Sequence, residues 1–414
     1  MSGTSVPSSH NKTSRRHDGR PSTPEPDLRQ AEELLMALLA IPGGSCHEGA
    51  AMDFLRRELL AAGAPESALT VDQAHRRSPA GGEVGNLACR LRGTLPGARR
   101  LLMAHVDTVP VCVGARPVRR GLRIVPADKH TGLGADDRAG TAVVLATALK
   151  ILREQLPHPP LTFFWTVQEE LGLYGARYAG LGMLGNPRLA FNFDGGPSAT
   201  ATVGATGGYR MSIEIEGLAS HAGASPERGV SAIAIAALAI ARLQHDGWHG
   251  RIEKQGHLGT SNVGIFHGGD ATNVVTPRVE IRAEARSHEP AFRRRIVRTI
   301  ERAFADAARK VRNVDGVCGQ VRFTGRLDYE AFALPWDDPS LLAAETAIRS
   351  VGGQPERSIS NGGLDANWMT ARGIPTVTLG AGQMHPHTVA EQLDLVQFRQ
   401  ACRTALRLAT STDG

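Results

Sequence analysis

The chain has 414 residues, 41% apolar and 21% charged, an ordinary globular composition with room for two or three domains and a full core. Its formal net charge is +6, but the arginines gather in the first twenty residues and around Arg293–Arg298 with no glycine-aromatic RNA-binding signature, which argues against nucleic acid as a partner. Five scattered cysteines (Cys46, Cys89, Cys112, Cys318 and Cys402) form no CxxC pair, so neither a zinc ribbon nor a disulfide framework is indicated.

No apolar run reaches the roughly 18 residues of a membrane span, and the N-terminus lacks the apolar stretch of a signal peptide. The expectation is a cytoplasmic protein with no membrane partner. Residues 1–27 are Ser, Thr, Pro, Arg and His with almost no large apolar side chain, and read as a disordered tail. Asp27 then caps a helix carrying Leu34, Leu35, Leu38 and Leu39. Ser45 and Glu48 form the Ser-x-x-Glu pattern of a capping box, opening a second helix through Leu60. Asn86–Arg92 and Leu101–His105 read as strands, Asp137–Gln155 as a long helix, and Leu161–Gln168 and Leu189–Asp194 as further strands. Strands alternating with helices imply an α/β sheet covered on both faces.

The pattern then changes. Met211, Ile213 and Ile215 alternate with polar residues, as in a half-exposed strand. A helix over Val230–Gln244, a strand over Thr260–Phe266 and a second alternating strand over Val279–Arg286 follow. A basic helix, Pro290–Val311, and a strand, Val317–Phe323, complete the order β-α-β-β-α-β of a ferredoxin-like α+β unit. Residues 206–328 therefore read as a small domain inserted into a larger one, residues 28–205 and 329–414. The α/β pattern resumes with a helix from Pro339, a strand at Thr376–Leu379 and a last helix to Leu408.

The residues able to do chemistry fall where strands of the larger domain end. His105 and Asp107 close one strand, and at that spacing the Asp can support the imidazole nitrogen facing away from a metal. Asp136 and Asp137 start the long helix, where ordinary capping would also account for them. Glu169 and Glu170 leave the most apolar strand. In extended chain, neighbours point opposite ways, so one can reach a metal while the other acts as a general base. Asp194 ends the next strand, and His385 and His387 follow the last one. Each feature alone has a bland explanation. Together, His, Asp, Glu, Asp and His at successive strand ends make a ligand set suited to zinc, manganese or cobalt, placed where open sheets assemble their sites.

This arrangement resembles the dinuclear zinc exopeptidases and deacylases, a family including peptidase T, glutamate carboxypeptidase, aminoacylase-1 and succinyl-diaminopimelate desuccinylase. The likeness covers nearly everything after residue 28. The stretches Gly132–Asp137, Ser220–Gly229 and Asn361–Asn367 bring it nearest to the peptidase T-like branch. The resemblance implies a zinc-exopeptidase-type α/β catalytic domain with the insert as lid and dimerisation domain, hence a homodimer. It implies two divalent ions, Zn²⁺ with Mn²⁺ or Co²⁺ as alternatives. Asp136 would bridge them, His105 and Asp194 would complete one site, and Glu170 and His387 the other. His387 is preferred to His385 because the family's ligand His stands four residues before a Glu, here Glu391.

By the same resemblance, Glu169 is the general base and later the acid, and Asp107 orients His105. His221 resembles a His that reaches across the dimer to the scissile carbonyl. Arg286 resembles an Arg that grips a substrate carboxylate, and Asn273 and Asn367 are further substrate contacts. Two positions depart from the pattern: Leu364 replaces a small hydroxyl residue, and Arg138 replaces Lys. The expected activity is hydrolysis of a peptide or acyl-amide bond in a small substrate, foremost as an aminopeptidase on short peptides. An N-acyl amino acid deacylase or a glutamate-type carboxypeptidase is the alternative on the same metal centre.

Overall fold

The computed structural model describes Met1, Gly3 and residues 24–411. The stretch expected to be a disordered tail lies, up to Thr23, outside the described residues apart from Met1 and Gly3. At its end Glu25 pairs with Arg403 at 3.1 Å and Arg407 at 2.8 Å.

A nine-stranded sheet forms the centre of the larger unit. Its middle strands, Leu161–Thr166, Arg100–His105, Leu189–Phe193 and Thr376–Leu379, run parallel to one another. All four are buried along their whole length. That explains why they read as continuous apolar runs rather than alternating ones. On one face the helices Leu28–Ala40, Ala135–Glu154 and Leu395–Thr410 pack over the sheet in one large core, which takes in Leu35, Val144, Trp165 and Phe398. Asp27 caps the first of these helices by accepting from the Gln30 N–H at 3.0 Å. A smaller core on the opposite face joins Leu101, Met103 and Phe164 to Ala176 and Met369.

The insert is separate in both sheet and core. Its five strands lie in the order Gly250–Lys254, His257–Gly268, Arg278–Ser287, Gly207–Glu216, Gln320–Tyr329. Without the first, this is the 4-1-3-2 arrangement expected of a ferredoxin-like unit. Helices Ala232–His245 and Pro290–Lys310 bury Ile235, Ile296 and Phe304 against Ile213, Ile215 and Ile281. The opposite sheet face is left to the charged residues of the alternation. The hairpin strand Gly250–Lys254, Arg-Ile-Glu-Lys in its body, buries only Ile252 and gives no period of its own.

Three local expectations are corrected. The capping box does not form. Ser45 Oγ donates instead to Asp107 Oδ2 at 2.6 Å, and Glu48 Oε1 accepts from Cys46 and Gln168 N–H at 2.9 and 3.0 Å. The most apolar strand stops at Thr166, so Glu169 and Glu170 stand in a turn rather than in extended chain. The last strand of the insert is Gln320–Tyr329 rather than Val317–Phe323. A four-stranded sheet that the pattern does not announce, Gln383–Met384, Gln392–Asp394, Arg123–Pro126 and Pro117–Arg120, anchors the loop carrying His387. Among the described residues no helix is long and apolar enough to cross a membrane.

Candidate metal centre

His105 ends a buried strand and is itself 1% exposed. Its Nδ1 lies 3.1 Å from the Asp107 carbonyl oxygen and 3.4 Å from Asp107 Oδ1. Both acceptors favour a proton on that nitrogen and leave Nε2 as the face toward the cluster. Asp107 does more than hold the ring. Oδ1 accepts the Glu169 N–H at 3.0 Å and Oδ2 accepts the Glu170 N–H at 3.2 Å. One buried carboxylate therefore fixes the turn that carries both glutamates.

The two adjacent aspartates divide their tasks. Asp137 turns inward, accepting from the Gly140 N–H at 2.9 Å, Gln383 Nε2 at 2.8 Å and the His105 N–H at 3.2 Å. It is the helix cap. Regular helical geometry begins only after it. Gly140 sits so close to the Phe193 carbonyl that any side chain would collide with it, which lets the helix start against the end of the strand Leu189–Phe193, just before Asp194. Asp136 faces the cluster. Its Oδ1 is 3.2 Å from His105 Nε2 and its Oδ2 is 3.2 Å from His387 Nε2. Around the first oxygen, Asp194 Oδ1 comes within 3.9 Å of the same His105 nitrogen. Around the second, Glu170 Oε1 is 3.0 Å from His387 Nε2.

Charge in this pocket is far from balanced. Asp136, Glu169, Glu170, Asp194 and Asp365 crowd the buried His105 and the half-exposed His387 at the strand ends. Burial, then Asp136, pushes the Asp194 carboxyl up to about 8. Burial holds Glu169 well above the usual carboxylate range, with Glu170, Asp194 and Asp365 adding and His105 opposing. Hydrogen bonds to Asp136 and Glu170 lift His387 to about 10. An excess of oxygen and nitrogen donors, converging and short of positive charge, is the chemistry that divalent cations satisfy. Two donor groups close within 4.8 Å: His105, Asp136 and Glu170, and His105, Glu169 and Asp194. In the second group Glu169 stands 4.0 Å from His105 Nε2, whereas Asp136 Oδ1 stands at 3.2 Å. Asp136 is thus the nearer of the two carboxylates to His105 Nε2.

Three supporting residues carry no motif that sequence reasoning turned into a role. Glu391, used above only as a spacing mark, is buried and accepts the N–H groups of Leu133, Gly134 and Asp136 at 2.9, 2.7 and 3.0 Å. It also accepts the Cys112 thiol at 3.1 Å. It thereby ties the loop of His387 to the loop of Asp136. Asp365 is fully buried, takes the Thr166 hydroxyl on one oxygen and, among the described residues, has no partner for the other. Arg138, the replacement for Lys, is buried and donates to the Gly43 carbonyl at 3.3 Å beside Asp107 and Glu48.

Asn367 is corrected as a substrate contact. Its Nδ2 donates to the carbonyls of Thr206 and Glu330 at 3.0 and 2.7 Å, and its Oδ1 accepts the Leu364 N–H at 2.8 Å. Thr206 and Glu330 lie where the chain enters and leaves the insert, so this fully buried amide clasps the two crossings. His221 and Asn273 lie together on an exposed part of the insert, Asn273 offering its carbonyl to the Ala222 N–H at 2.9 Å. His221 Nδ1 accepts two N–H groups, from Gly223 and Ala224, at 3.1 Å each. In the neutral ring that puts the proton on Nε2, which points away as a donor. None of its hydrogen bonds among the described residues reaches the cluster. Arg286 holds Glu284 through Nε and Nη2, at 3.0 Å each.

An open α/β sheet with converging His and carboxylate donors at its strand ends is the build of a metal-dependent hydrolase. The pattern of the peptidase family M20/M25/M40 matches residues 101–411, and the chain belongs to that family of metallopeptidases and amidohydrolases. It is 33% identical over 374 residues to the protein YqjE of Bacillus subtilis, covering 90% of this chain and 95% of that one. A tripeptidase from Staphylococcus aureus superposes with a TM-score of 0.84 at 29% identity, covering 94% of this chain and 99% of the other. The aminopeptidase PepT from Bacillus cereus follows at 0.79 and 29%, covering 93% and 98%.

Proposed function

We propose that the chain is a dinuclear metallo-aminopeptidase acting on short peptides, and that Asp136 is the carboxylate shared by its two ions. The observation that carries this reading is the division of Asp136, one oxygen toward His105 and Asp194, the other toward His387 and Glu170. Zn²⁺ suits these ligands, with Mn²⁺ or Co²⁺ also compatible. Bound there, two such ions lower the pKa of water and polarise the scissile carbonyl. Glu169, buried beside the cluster, takes a proton from the attacking water and returns it to the leaving nitrogen. His221 Nε2–H donates to the developing oxyanion. Its exposed place on the insert, with no hydrogen bond to the cluster among the described residues, supports action on a partner's site. The insert acts as lid and as dimerisation surface. Its exposed apolar side chains, Leu218, Ile233, Ile265, Phe266 and Val274, support pairing with a second copy. The cytoplasm suits the five free thiols.

The likeness to a tripeptidase and an aminopeptidase at nearly full length supports peptides over other amides. The test is a panel: a free tripeptide, its N-acetylated form, an N-acyl amino acid and a peptide ending in glutamate, each with Zn²⁺, Mn²⁺ or Co²⁺. Cleavage of the free tripeptide, lost on acetylation, is the expected result. Fast hydrolysis of the N-acyl amino acid with no tripeptide turnover rejects the aminopeptidase and leaves a deacylase on the same centre.

A further inference from the structure

Tyr329 ends the last strand of the insert, where the chain returns to the larger unit. It is paired directly with Gly208, and Gly208 is paired on its other side with Arg286. Opposed residues of antiparallel neighbours share a face. Arg286, Gly208 and Tyr329 thus form one row on the sheet face that the two helices leave open, and its middle member has no side chain. The phenol takes that space. A Cβ at Gly208 would lie 2.8 Å from the Tyr329 Cζ and 3.0 Å from its hydroxyl. From the larger unit, Gly363 closes on the same ring, where a Cβ would lie 2.6 Å from Cζ. The ring is held between two glycines, one from each unit, and is 6% exposed.

The hydroxyl is different. Among the described residues it makes no hydrogen bond, and it is not one of the sealed, partnerless polar atoms, so it touches solvent. A buried phenol ring with an unused O–H is an anchored donor lacking its acceptor. Arg286 has spare capacity as well. Glu284 occupies only its Nε and Nη2, which leaves the Nη1 edge of the fork. Burial raises the phenol's pKa, Arg286 lowers it, and the carboxylates of Glu284, Asp328 and Glu169 raise it further, so charges of both signs act on the group.

We propose that the Tyr329 hydroxyl, with the free edge of Arg286, binds a carboxylate of the substrate, making Tyr329 a specificity-determining residue. This rests on the hydrolase reading above. The test compares one substrate, whichever of the panel is cleaved fastest, as the free acid and as the carboxamide, in wild type and in Tyr329→Phe. The phenyl ring keeps its place between the glycines, so metal content and melting temperature check that the fold is intact. The wild type should prefer the acid. The variant should lose roughly tenfold or more in kcat/KM on the acid, chiefly through KM, and less on the carboxamide, since a hydrogen bond to a charged group is at stake. Equal losses on both forms, or no loss on the acid, overturn the proposal. A wild type that cleaves none of the panel rejects the functional reading instead. Calorimetric titration of the acid and carboxamide forms of the tripeptide, in wild type and variant, then decides the subsite by the same comparison.

Discussion

Asp107 Oδ1 accepts the backbone N–H of Glu169 at 3.0 Å, across 62 residues of sequence. The residue expected to orient His105 also sets the height of the residue assigned as general base, and its second oxygen does the same for Glu170. One buried group thus holds His105 at its strand end and the turn of both glutamates.

Asp107→Asn tests that linkage. An amide presents one N–H₂ where an acceptor is required, against the N–H of either Glu169 or Glu170. It also removes the charge that supports His105. The expected result is a 10- to 100-fold fall in kcat or in metal affinity, the range for groups supporting a ligand. Unchanged activity with unchanged metal content would mean that the turn is held by other contacts.

Glu169→Gln and Asp136→Ala separate the proton from the metal. The first should abolish turnover while two ions per chain remain. The second should empty both sites if, as proposed, one carboxylate serves both ions. Metal analysis alongside kinetics checks each variant. One fully loaded site in Asp136→Ala argues against bridging, and substantial activity in Glu169→Gln argues against the base.

Most of this centre was legible because parallel strands deliver their C-terminal ends to one place. His105, Asp194 and the glutamates each follow an apolar run, so chain order alone brings them together. What stayed hidden depends on distant partners. Glu391 acts through three N–H groups more than 250 residues away. The resemblance offered Asn367 as a substrate contact, yet the two crossings that claim its Nδ2 lie 161 and 37 residues away. Ser45 and Glu48 matched a local motif and were taken by Asp107 and Gln168 instead, a tertiary demand overriding a helix cap.

Glu48 makes stability depend on pH. It is fully buried, and burial first, then Asp107, pushes its carboxyl from 4.5 up to about 7. Between those values the unfolded chain releases the proton while the folded chain keeps it. The folded state binds more protons there, so its stability falls as pH rises through the window. The full effect is at most about 3 kcal/mol. Glu48→Gln keeps an acceptor for Cys46 and Gln168 and never ionises. Denaturant melts at pH 5 and pH 8 should show a smaller fall for the variant, with higher stability than wild type at pH 8. Parallel pH dependence in the two proteins would show that Glu48 titrates normally.

His221 gives the test of assembly. Its Nδ1 is occupied by the Gly223 and Ala224 N–H groups, so the side chain can offer only Nε2–H, and it offers it outward from an exposed stretch of the insert. A donor that meets the carbonyl oxygen only as charge develops acts on kcat more than on KM. His221→Ala should therefore lower kcat by roughly 100-fold or more with KM little changed. If the donor serves a partner subunit, the defect is complementable. Mixing His221→Ala with Glu169→Gln yields heterodimers in which one site receives both a working base and a working His221. Activity should recover toward one functional site per heterodimer. Size-exclusion chromatography and a tagged-subunit pull-down establish that the chains have exchanged. Recovery identifies the site as shared between subunits. No recovery after proven exchange places His221 in its own chain's site or outside the reaction, and the insert is then a lid without a catalytic contribution across the interface.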